Sequence, residues 1–307
     1  MADSVNLSDK LKNRFRELSS PLEPIPTNSE VRLKKLDNIR VVMYDFYGTL
    51  FLSGVGDIGV DDGKSDSALM LRALNDSKIT VSNNSAGERA FEIYSEVVEN
   101  EVQKIKKAGI EYPEPDIRIV WKQVLQQLFD ANLIETKPTD SLSSILSVEF
   151  EARMNPVWPV SDSVKTLSYF KNSGIDQGII SNSQFYTPLL LEALTDKSIT
   201  ELGFNPSLLH WSFQEKMKKP GLQFYKSAVK KISETHPSIK PDQVLYAGND
   251  MLKDIWPAAQ MGFKTALFAG DKRSLKWRND DERCKELKPD IIFTQFSQLK
   301  SVLKINV

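Results

Sequence analysis

Six short apolar runs, each ending at a polar turn, constrain the fold of this chain more than any other feature. They are IRVVMYD, DQGIISN, LLHWSF, DQVLYAG, KTALFA and DIIFT. Helical patterns such as DSVKTLSYFKNSG (162–174) and GLQFYKSAVKKISETH (221–236) separate most of them. Near-continuous apolar strands that alternate with helices are typical of parallel sheets covered on both faces. The sequence therefore predicts an α/β fold with a doubly wound parallel sheet.

The alternation stops at residues 60–155, where the periodicity is helical throughout. The helical segments are SALMLRALND, AGERAFEIYSEVVENEVQKIKKAG and DIRIVWKQVLQQLFDANL. In the second, apolar residues from Phe91 to Ile105 recur at spacings of three and four and form one stripe. A helical module of this size, inserted after the first strand, predicts a separate cap domain.

The amino-terminal segment, residues 1–37, is polar and charged. We predict a helix at about Leu7–Leu18, followed by an extended arm in which SSPLEPIPTNSE carries three prolines. The α/β core is then formed by residues 38–59 and 156–307.

Composition narrows the classes of partner and cofactor. Forty basic and 41 acidic residues give a formal net charge of −1, which predicts a small-molecule substrate rather than nucleic acid or a membrane surface. The first residues do not resemble a secretory signal, and one cysteine, Cys284, excludes an intrachain disulfide, so we expect a cytoplasmic protein. With only two histidines, a metal would be bound mainly by oxygen, as Mg²⁺ is. The sequence does not indicate the oligomeric state.

Chemically active side chains follow four of the predicted strands. Ligands of an open parallel sheet bind beyond the carboxyl ends of its strands, so we expect these residues to share one rim. They are Asp45, Gly48, Thr49, Ser181, Asn182, Lys219, Asn249, Asp250 and Asp254. A carboxylate such as Asp45 can attack a phosphoryl group, or a carbon with a good leaving group, to give an aspartyl intermediate. Lys219, with a metal held by Asp45 and Asp250, would neutralise an anionic substrate.

Four segments, in this order, resemble the four motifs of the haloacid dehalogenase (HAD) superfamily of hydrolases. DFYGTL resembles the first motif, IISN the second, KKPGLQFY the third and YAGNDMLKDIWPAAQMGFKT the fourth. The resemblance covers roughly residues 38–60 and 156–295, and the helical insert lies where the family carries its helical cap. It implies a HAD-like Rossmannoid core with an inserted helical cap domain.

The resemblance also implies roles for individual residues. Asp45 would be the nucleophile, Lys219 would pair with the nucleophile and the substrate, and Ser181 would bind the transferred group. Thr49 would help to position the site. Tyr47, Gly48 and Asn182 would contact the substrate.

A magnesium site is implied in the same way. Its ligands would be Asp45, the backbone carbonyl of Tyr47 and Asp250, with Asp254 as a further ligand or an orienting residue. The alternative for Asp250 and Asp254 is an N-terminal helix cap, and the alternative for Ser181 and Asn182 is a cap of the next helix.

Tyr47 departs from the phosphatases of this family, which carry a second aspartate there as general acid and base. Tyrosine has an ordinary pKa near 10, and losing a general acid costs ~10²–10⁴-fold in rate. The 2-haloacid dehalogenases of the family carry a tyrosine in a DxYGTL motif and use no metal. Tyr225, six residues after Lys219, also resembles their third motif, whereas they lack an equivalent of Asp250.

Three functions follow from these patterns. The first is a magnesium-dependent phosphohydrolase that acts on a small, anionic metabolite through an aspartyl phosphate, slowly because of Tyr47. The alternatives are a metal-independent 2-haloacid dehalogenase, and a catalytically inactive binding protein in which Tyr47 is only a packing residue.

Overall fold

A computed structural model describes residues 2–55 and 67–303 of the chain. The predicted boundary between core and cap, at residues 59 and 60, lies outside the described residues. The strands are β1 (Val41–Tyr44), β2 (Phe51–Ser53), β3 (Val157–Pro159), β4 (Asp176–Ser181), β5 (Phe204–Trp211), β6 (Val244–Gly248), β7 (Lys264–Phe268) and β8 (Ile291–Phe293).

Six of these strands form one parallel sheet in the order β5-β4-β1-β6-β7-β8. The four residues of β1 are fully buried, because the strand lies inside the sheet and helices cover both faces. The predicted doubly wound parallel sheet is thus confirmed: five of the six apolar runs contain one of its strands, and LLHWSF overlaps the second half of β5.

The α-helices surround this sheet and build the cap. They are α1 (Ala2–Leu18), α2 (Ser67–Asp76), α3 (Ala86–Lys107), α4 (Ile117–Asp130), α5 (Asp140–Met154), α6 (Ser163–Asn172), α7 (Thr187–Thr195), α8 (Ser212–Glu215), α9 (Leu222–Thr235), α10 (Trp256–Gln260), α11 (Glu282–Lys285) and α12 (Ser297–Val302). Among the described residues, none of these helices combines the length and the apolar character that crossing a bilayer requires.

Helices α2 to α5 form the cap and enclose a hydrophobic core of their own. Trp121 is its largest buried side chain and contacts the rings of Tyr94 and Phe150. The face of α3 that is fully buried runs from Ala90 through Ile93 to Val97. The predicted stripe from Phe91 to Ile105 lies at the margin of that face and is partly buried.

Two backbone pairings are among the contacts that join the cap to the core. Strands β2 and β3 pair antiparallel where the chain leaves and re-enters the core. On the other side, the loop between α3 and α4 reaches the segment just before Lys219. There Pro113 forms an isolated β-bridge with Met217, and the amide of Lys218 donates to the carbonyl of Tyr112 at 2.9 Å.

The amino-terminal helix and arm pack on this same chain. Helix α1 contacts α5 of the cap and α7 of the core. The arm then follows the edge of the sheet, where Arg32 pairs antiparallel with Ile292 of β8 and Leu36 pairs with Leu303.

Candidate active site

A small cavity of about 70 Å³ lies at the carboxyl ends of the central strands. Ten residues line it: Asp45, Tyr47, Asn182, Lys219, Asn249, Asp250, Lys253, Asp254, Ser274 and Lys276. The structure therefore brings together six of the residues predicted from strand ends, namely Asp45, Asn182, Lys219, Asn249, Asp250 and Asp254, and places Tyr47 beside them. The cavity lining does not include Gly48, Thr49 or Ser181, which are sequence neighbours of lining residues.

Asp45 is placed by the strand that precedes it. Its amide continues the β1–β6 ladder by donating to the carbonyl of Ala247 at 2.9 Å, and the residue is only 7% exposed. Gly48 turns the chain with φ of 78°, where a Cβ would lie 2.7 Å from the Cβ of Ser274. The Thr49 hydroxyl then donates to Oδ1 of Asn249 at 2.9 Å and ties the turn to the end of β6.

Lys219 lies between two carboxylates. Its Nζ is 2.6 Å from Oδ1 of Asp45 and 2.6 Å from Oδ1 of Asp254, and the residue is 3% exposed. Burial opposes its charge, but the two neighbouring carboxylates outweigh burial and raise the pKa of Lys219 above its ordinary value. The ammonium therefore stays protonated and holds Asp45 in one orientation.

Asn182 fixes the backbone of Lys219. The amide of Lys219 donates to Oδ1 of Asn182 at 2.7 Å, and Nδ2 of Asn182 donates back to the Lys219 carbonyl at 3.2 Å. Ser181 is fully buried and its hydroxyl donates to the carbonyl of Asn182 at 3.3 Å. The alternative that these two residues cap the next helix is wrong, since α7 begins at Thr187.

Asp254 is an acceptor for groups on all sides. Oδ1 accepts from Lys219 and from the Tyr246 hydroxyl at 3.1 Å, while Oδ2 accepts from the amides of Asn249 and Asp250, both at 3.0 Å. Burial raises the pKa of Asp254 to about 7, against the opposing effect of Lys219. The absence of a side chain at Gly248 leaves room for Asp254, because a Cβ at Gly248 would lie 2.4 Å from the Asp254 Cβ.

Asp250 has a different set of partners. Its Oδ1 accepts from the amides of Leu252 and Lys253 at 2.8 and 3.1 Å, so the helix-cap alternative is confirmed for this residue. The guanidinium of Arg278 donates to the same carboxylate, with Nε 3.1 Å and Nη2 2.6 Å from Oδ2. Both oxygens of Asp250 are thus engaged.

As arranged, the carboxylates do not fit a magnesium ion. Mg²⁺ requires oxygen ligands in a near-octahedral arrangement, but each oxygen of Asp250 and Asp254 already accepts from a cation or an amide. Within residues 2–55 and 67–303, no group of three or more histidine, cysteine, aspartate or glutamate side chains is disposed to hold a metal ion.

Tyr47 lies beside Asp45 at the cavity and keeps its proton near neutral pH. Its hydroxyl shares a hydrogen bond of 3.0 Å with Oγ1 of Thr187. Burial, together with the carboxylates of Glu151 and Asp45, raises its pKa well above 10. Tyr47 is therefore a poor general acid near neutral pH.

The loop after β7 contributes residues that the sequence analysis missed. Ser274 and Lys276 line the cavity, and Arg278 contacts Asp250. The run KTALFA was identified as a strand, so its carboxyl end pointed to this rim. The loop itself has no apolar periodicity and its partners are set by the tertiary fold.

A larger groove of about 670 Å³ lies between α1 and the cap. Several of its charged residues form ion pairs: Arg14 is 2.5 Å from Glu149, and Arg153, which lies beside the groove, contacts both Glu149 and Asp76. These pairs join α1 to α5 and α2. The groove contains none of the strand-end residues, so the smaller cavity is the candidate active site.

Comparisons with known proteins agree with this geometry at the level of the fold. No family model matches the chain, and no curated protein matches it. Among solved structures, a 2-haloacid dehalogenase from Pseudomonas syringae pv. Tomato DC3000 is similar, with a TM-score of 0.52, 16% identity, and coverage of 86% of this chain and 97% of that one.

Two further solved structures show weaker similarity. An L-2-haloacid dehalogenase from Xanthobacter autotrophicus has a TM-score of 0.45 at 16% identity, over 86% of this chain and 97% of that one. A HAD phosphatase from Thermococcus onnurineus has a TM-score of 0.44 at 13% identity, again over 86% and 97%. At these identities the similarity concerns the fold alone.

Proposed function

Given that this chain has the haloacid dehalogenase fold, we propose that it is a hydrolase in which Asp45 attacks a small anionic substrate and forms an ester with it. The observation that carries the proposal is the 2.6 Å contact between the Lys219 ammonium and Oδ1 of Asp45 beside a small cavity that both residues line. Among the described residues, no hydrogen bond engages Oδ2 of Asp45. A carboxylate held in one orientation with one oxygen available is suited to nucleophilic attack.

The substrate class that fits best is a 2-haloacid. A halide leaves as a stable anion and needs no proton, whereas burial raises the pKa of Tyr47 above its ordinary value and makes it a weaker acid for any leaving group that does need one. The cavity of about 70 Å³ also favours a substrate of few atoms. The available residues thus support a displacement in which the leaving group requires no general acid.

The reaction has two steps. In the first, an Asp45 oxygen forms a bond to C2 of the substrate, and the carbon–halogen bond breaks with its electron pair on the halide. In the second, a water molecule attacks the carbonyl carbon of the new ester. The ester bond breaks, a 2-hydroxy acid and a proton are released, and the Asp45 carboxylate is restored. Lys219 holds Asp45 through both steps.

A lysine is positioned to receive the substrate carboxylate. Lys276 lines the cavity, and its ammonium forms no ion pair with any residue in the described part of the chain. An ammonium beside a small cavity attracts an anion and steers its approach. This supports an anionic substrate for either of the two reaction classes.

A second candidate is the magnesium-dependent phosphohydrolase. The observation in its favour is that Asp250 lines the same cavity as Asp45, as a metal site would require. Against it stand the hydrogen bonds that already engage both oxygens of Asp250.

The test compares two substrates, with and without a chelator. Wild type, Asp45→Asn and Asp176→Asn are assayed for halide release from 2-chloropropionate and for hydrolysis of para-nitrophenyl phosphate. Asp176 is a matched control because it lies at the amino end of β4, away from the carboxyl ends of the strands where the cavity lies, and it pairs with His236. We expect wild type to release halide at a rate that EDTA does not affect. Asp45→Asn should lower this rate by ~10³-fold or more, and Asp176→Asn should keep the wild-type rate.

Two results would contradict the proposal. Phosphatase activity that requires Mg²⁺, without halide release, would favour the second candidate. Turnover of neither substrate by wild-type protein would favour a binding protein that keeps the cavity without catalysis.

A further inference from the structure

We propose that Arg278 supplies the positive charge that a divalent cation would otherwise bring to this site, and that it keeps Mg²⁺ out. The guanidinium lies against both oxygens of Asp250, with Nε 3.2 Å from Oδ1 and Nη2 2.6 Å from Oδ2. The Asp250 side chain is 6% exposed and that of Arg278 is 30% exposed. This cation comes from the loop after β7, outside the four segments that resemble the superfamily motifs.

Backbone pairing places Arg278 where it is. The loop after β7 runs beside the end of β6: the amide of Lys276 donates to the carbonyl of Asn249 at 3.0 Å, and the amide of Met251 donates to the carbonyl of Lys276 at 2.9 Å. Nδ2 of Asn249 also donates to the carbonyl of Ser274 at 2.7 Å. These bonds flank Asp250 on both sides. The guanidinium is therefore held by the fold rather than by its own flexible chain.

The charges of the site show why such a cation is needed. Three carboxylates, Asp45, Asp250 and Asp254, line one cavity. Lys219 contacts two of them but not Asp250, so the three acids and this lysine carry two negative charges, which oppose the attraction that Lys253 and Lys276 at the same cavity exert on an anionic substrate. The contact from Arg278 removes one of those charges.

A guanidinium also excludes a metal ion from the same oxygens. Arginine stays protonated at every pH at which proteins fold, and its planar fork satisfies both oxygens of a carboxylate at once. Oδ1 of Asp250 accepts from two helix amides as well. A Mg²⁺ ion would have to displace Arg278 before Asp250 could become a ligand.

The test is thermal unfolding of the full chain with and without millimolar Mg²⁺, combined with Mg²⁺ titration by calorimetry. Wild type is expected to show no shift in Tm and no heat of binding. Arg278→Met frees the Asp250 carboxylate, and we expect Mg²⁺ to bind and raise its Tm by roughly 5 °C at saturating metal. The double variant Arg278→Met/Asp250→Asn is expected to lose that response.

Arg283→Met is the matched control. Arg283 pairs with Asp281 as Arg278 pairs with Asp250, but it is not among the residues that line the site cavity. Its removal is expected to create no response to Mg²⁺.

Either of two results overturns the inference: a Mg²⁺-dependent rise in the Tm of wild type, or a folded Arg278→Met that does not respond to Mg²⁺. If Arg278→Met does not fold, Arg278→Gln takes its place, and the wild-type titration still decides whether the site excludes the metal. The readout is metal binding, so a failure here is distinguishable from a failure of the proposed hydrolase reaction.

Discussion

Replacing Lys219 with methionine removes a side chain that contacts both Asp45 and Asp254. In wild type, each of the two carboxylates has an oxygen 2.6 Å from Nζ of Lys219. Methionine is similar in length to lysine but carries no charge, so both buried carboxylates lose their shared counter-ion. Removing one member of a buried ion pair costs about 3–5 kcal/mol, because the remaining charge stays desolvated. We expect a loss of that size in the free energy of unfolding at about pH 8.

The loss should depend on pH in a definite direction. Burial already raises the pKa of Asp254 to about 7, and without Lys219 the neighbouring carboxylate raises it further. The native variant then binds a proton that the unfolded chain releases above about pH 4. Because the native state holds more protons, the stability of the variant rises as the pH falls. Wild type gains in the same way below about pH 7, so the deficit should shrink by only about 1 kcal/mol between pH 8 and pH 5.

Urea unfolding, followed by circular dichroism at both pH values, measures this deficit. Lys276→Met is the matched control, since Lys276 lines the same cavity but contacts neither carboxylate, and we expect it to stay within about 0.5 kcal/mol of wild type. Adding Asp254→Asn to Lys219→Met should restore part of the lost stability. A Lys219→Met variant as stable as Lys276→Met, or a deficit that does not change with pH, would refute the reasoning.

Three further predictions concern stability. Burial raises the pKa of Glu151, so wild type loses stability as the pH rises from about 4 through that raised pKa. Glu151→Gln still accepts the hydrogen bond from Tyr186 but does not titrate, so its stability relative to wild type should increase over the same pH range in urea titrations. Gly48→Ala should cost roughly 1–3 kcal/mol because its Cβ would lie 2.7 Å from the Ser274 Cβ, whereas Gly109→Ala, at φ of 91° with open space around it, should cost less; equal costs would show that contact is irrelevant. Trp121→Ala should cost about 3–5 kcal/mol in thermal unfolding, and a smaller loss would mean that the cap core repacks.

The sheet could be predicted because its strands are buried on both faces and are therefore continuously apolar. Helix α5 gave a weak signal, because it is packed from several sides and buries Ser143, Ser147 and Glu149 together with Leu146 and Val148. Strands β2 and β3 have three residues each, too few for a pattern.

The candidate site shows the same division. Asp45 and Lys219 were predicted to meet because the ends of parallel strands lie at one edge, and they are 2.6 Å apart. The pairing of Asp250 with Arg278 could not be predicted, since it depends on how the loop after β7 runs beside β6. The sequence predicted Asp250 as a metal ligand, whereas in the structure its carboxylate pairs with Arg278.

The most direct test of the central claim is a single turnover of 2-chloropropionate in water enriched with heavy oxygen, with enzyme in excess over substrate and EDTA present. If Asp45 forms an ester that water attacks at its carbonyl carbon, mass spectrometry should find the label in the peptide that contains Asp45, and the first 2-hydroxy acid released should be unlabelled. Label in the product with none in that peptide would mean that water attacks the substrate directly, and would contradict the role of Asp45 as nucleophile.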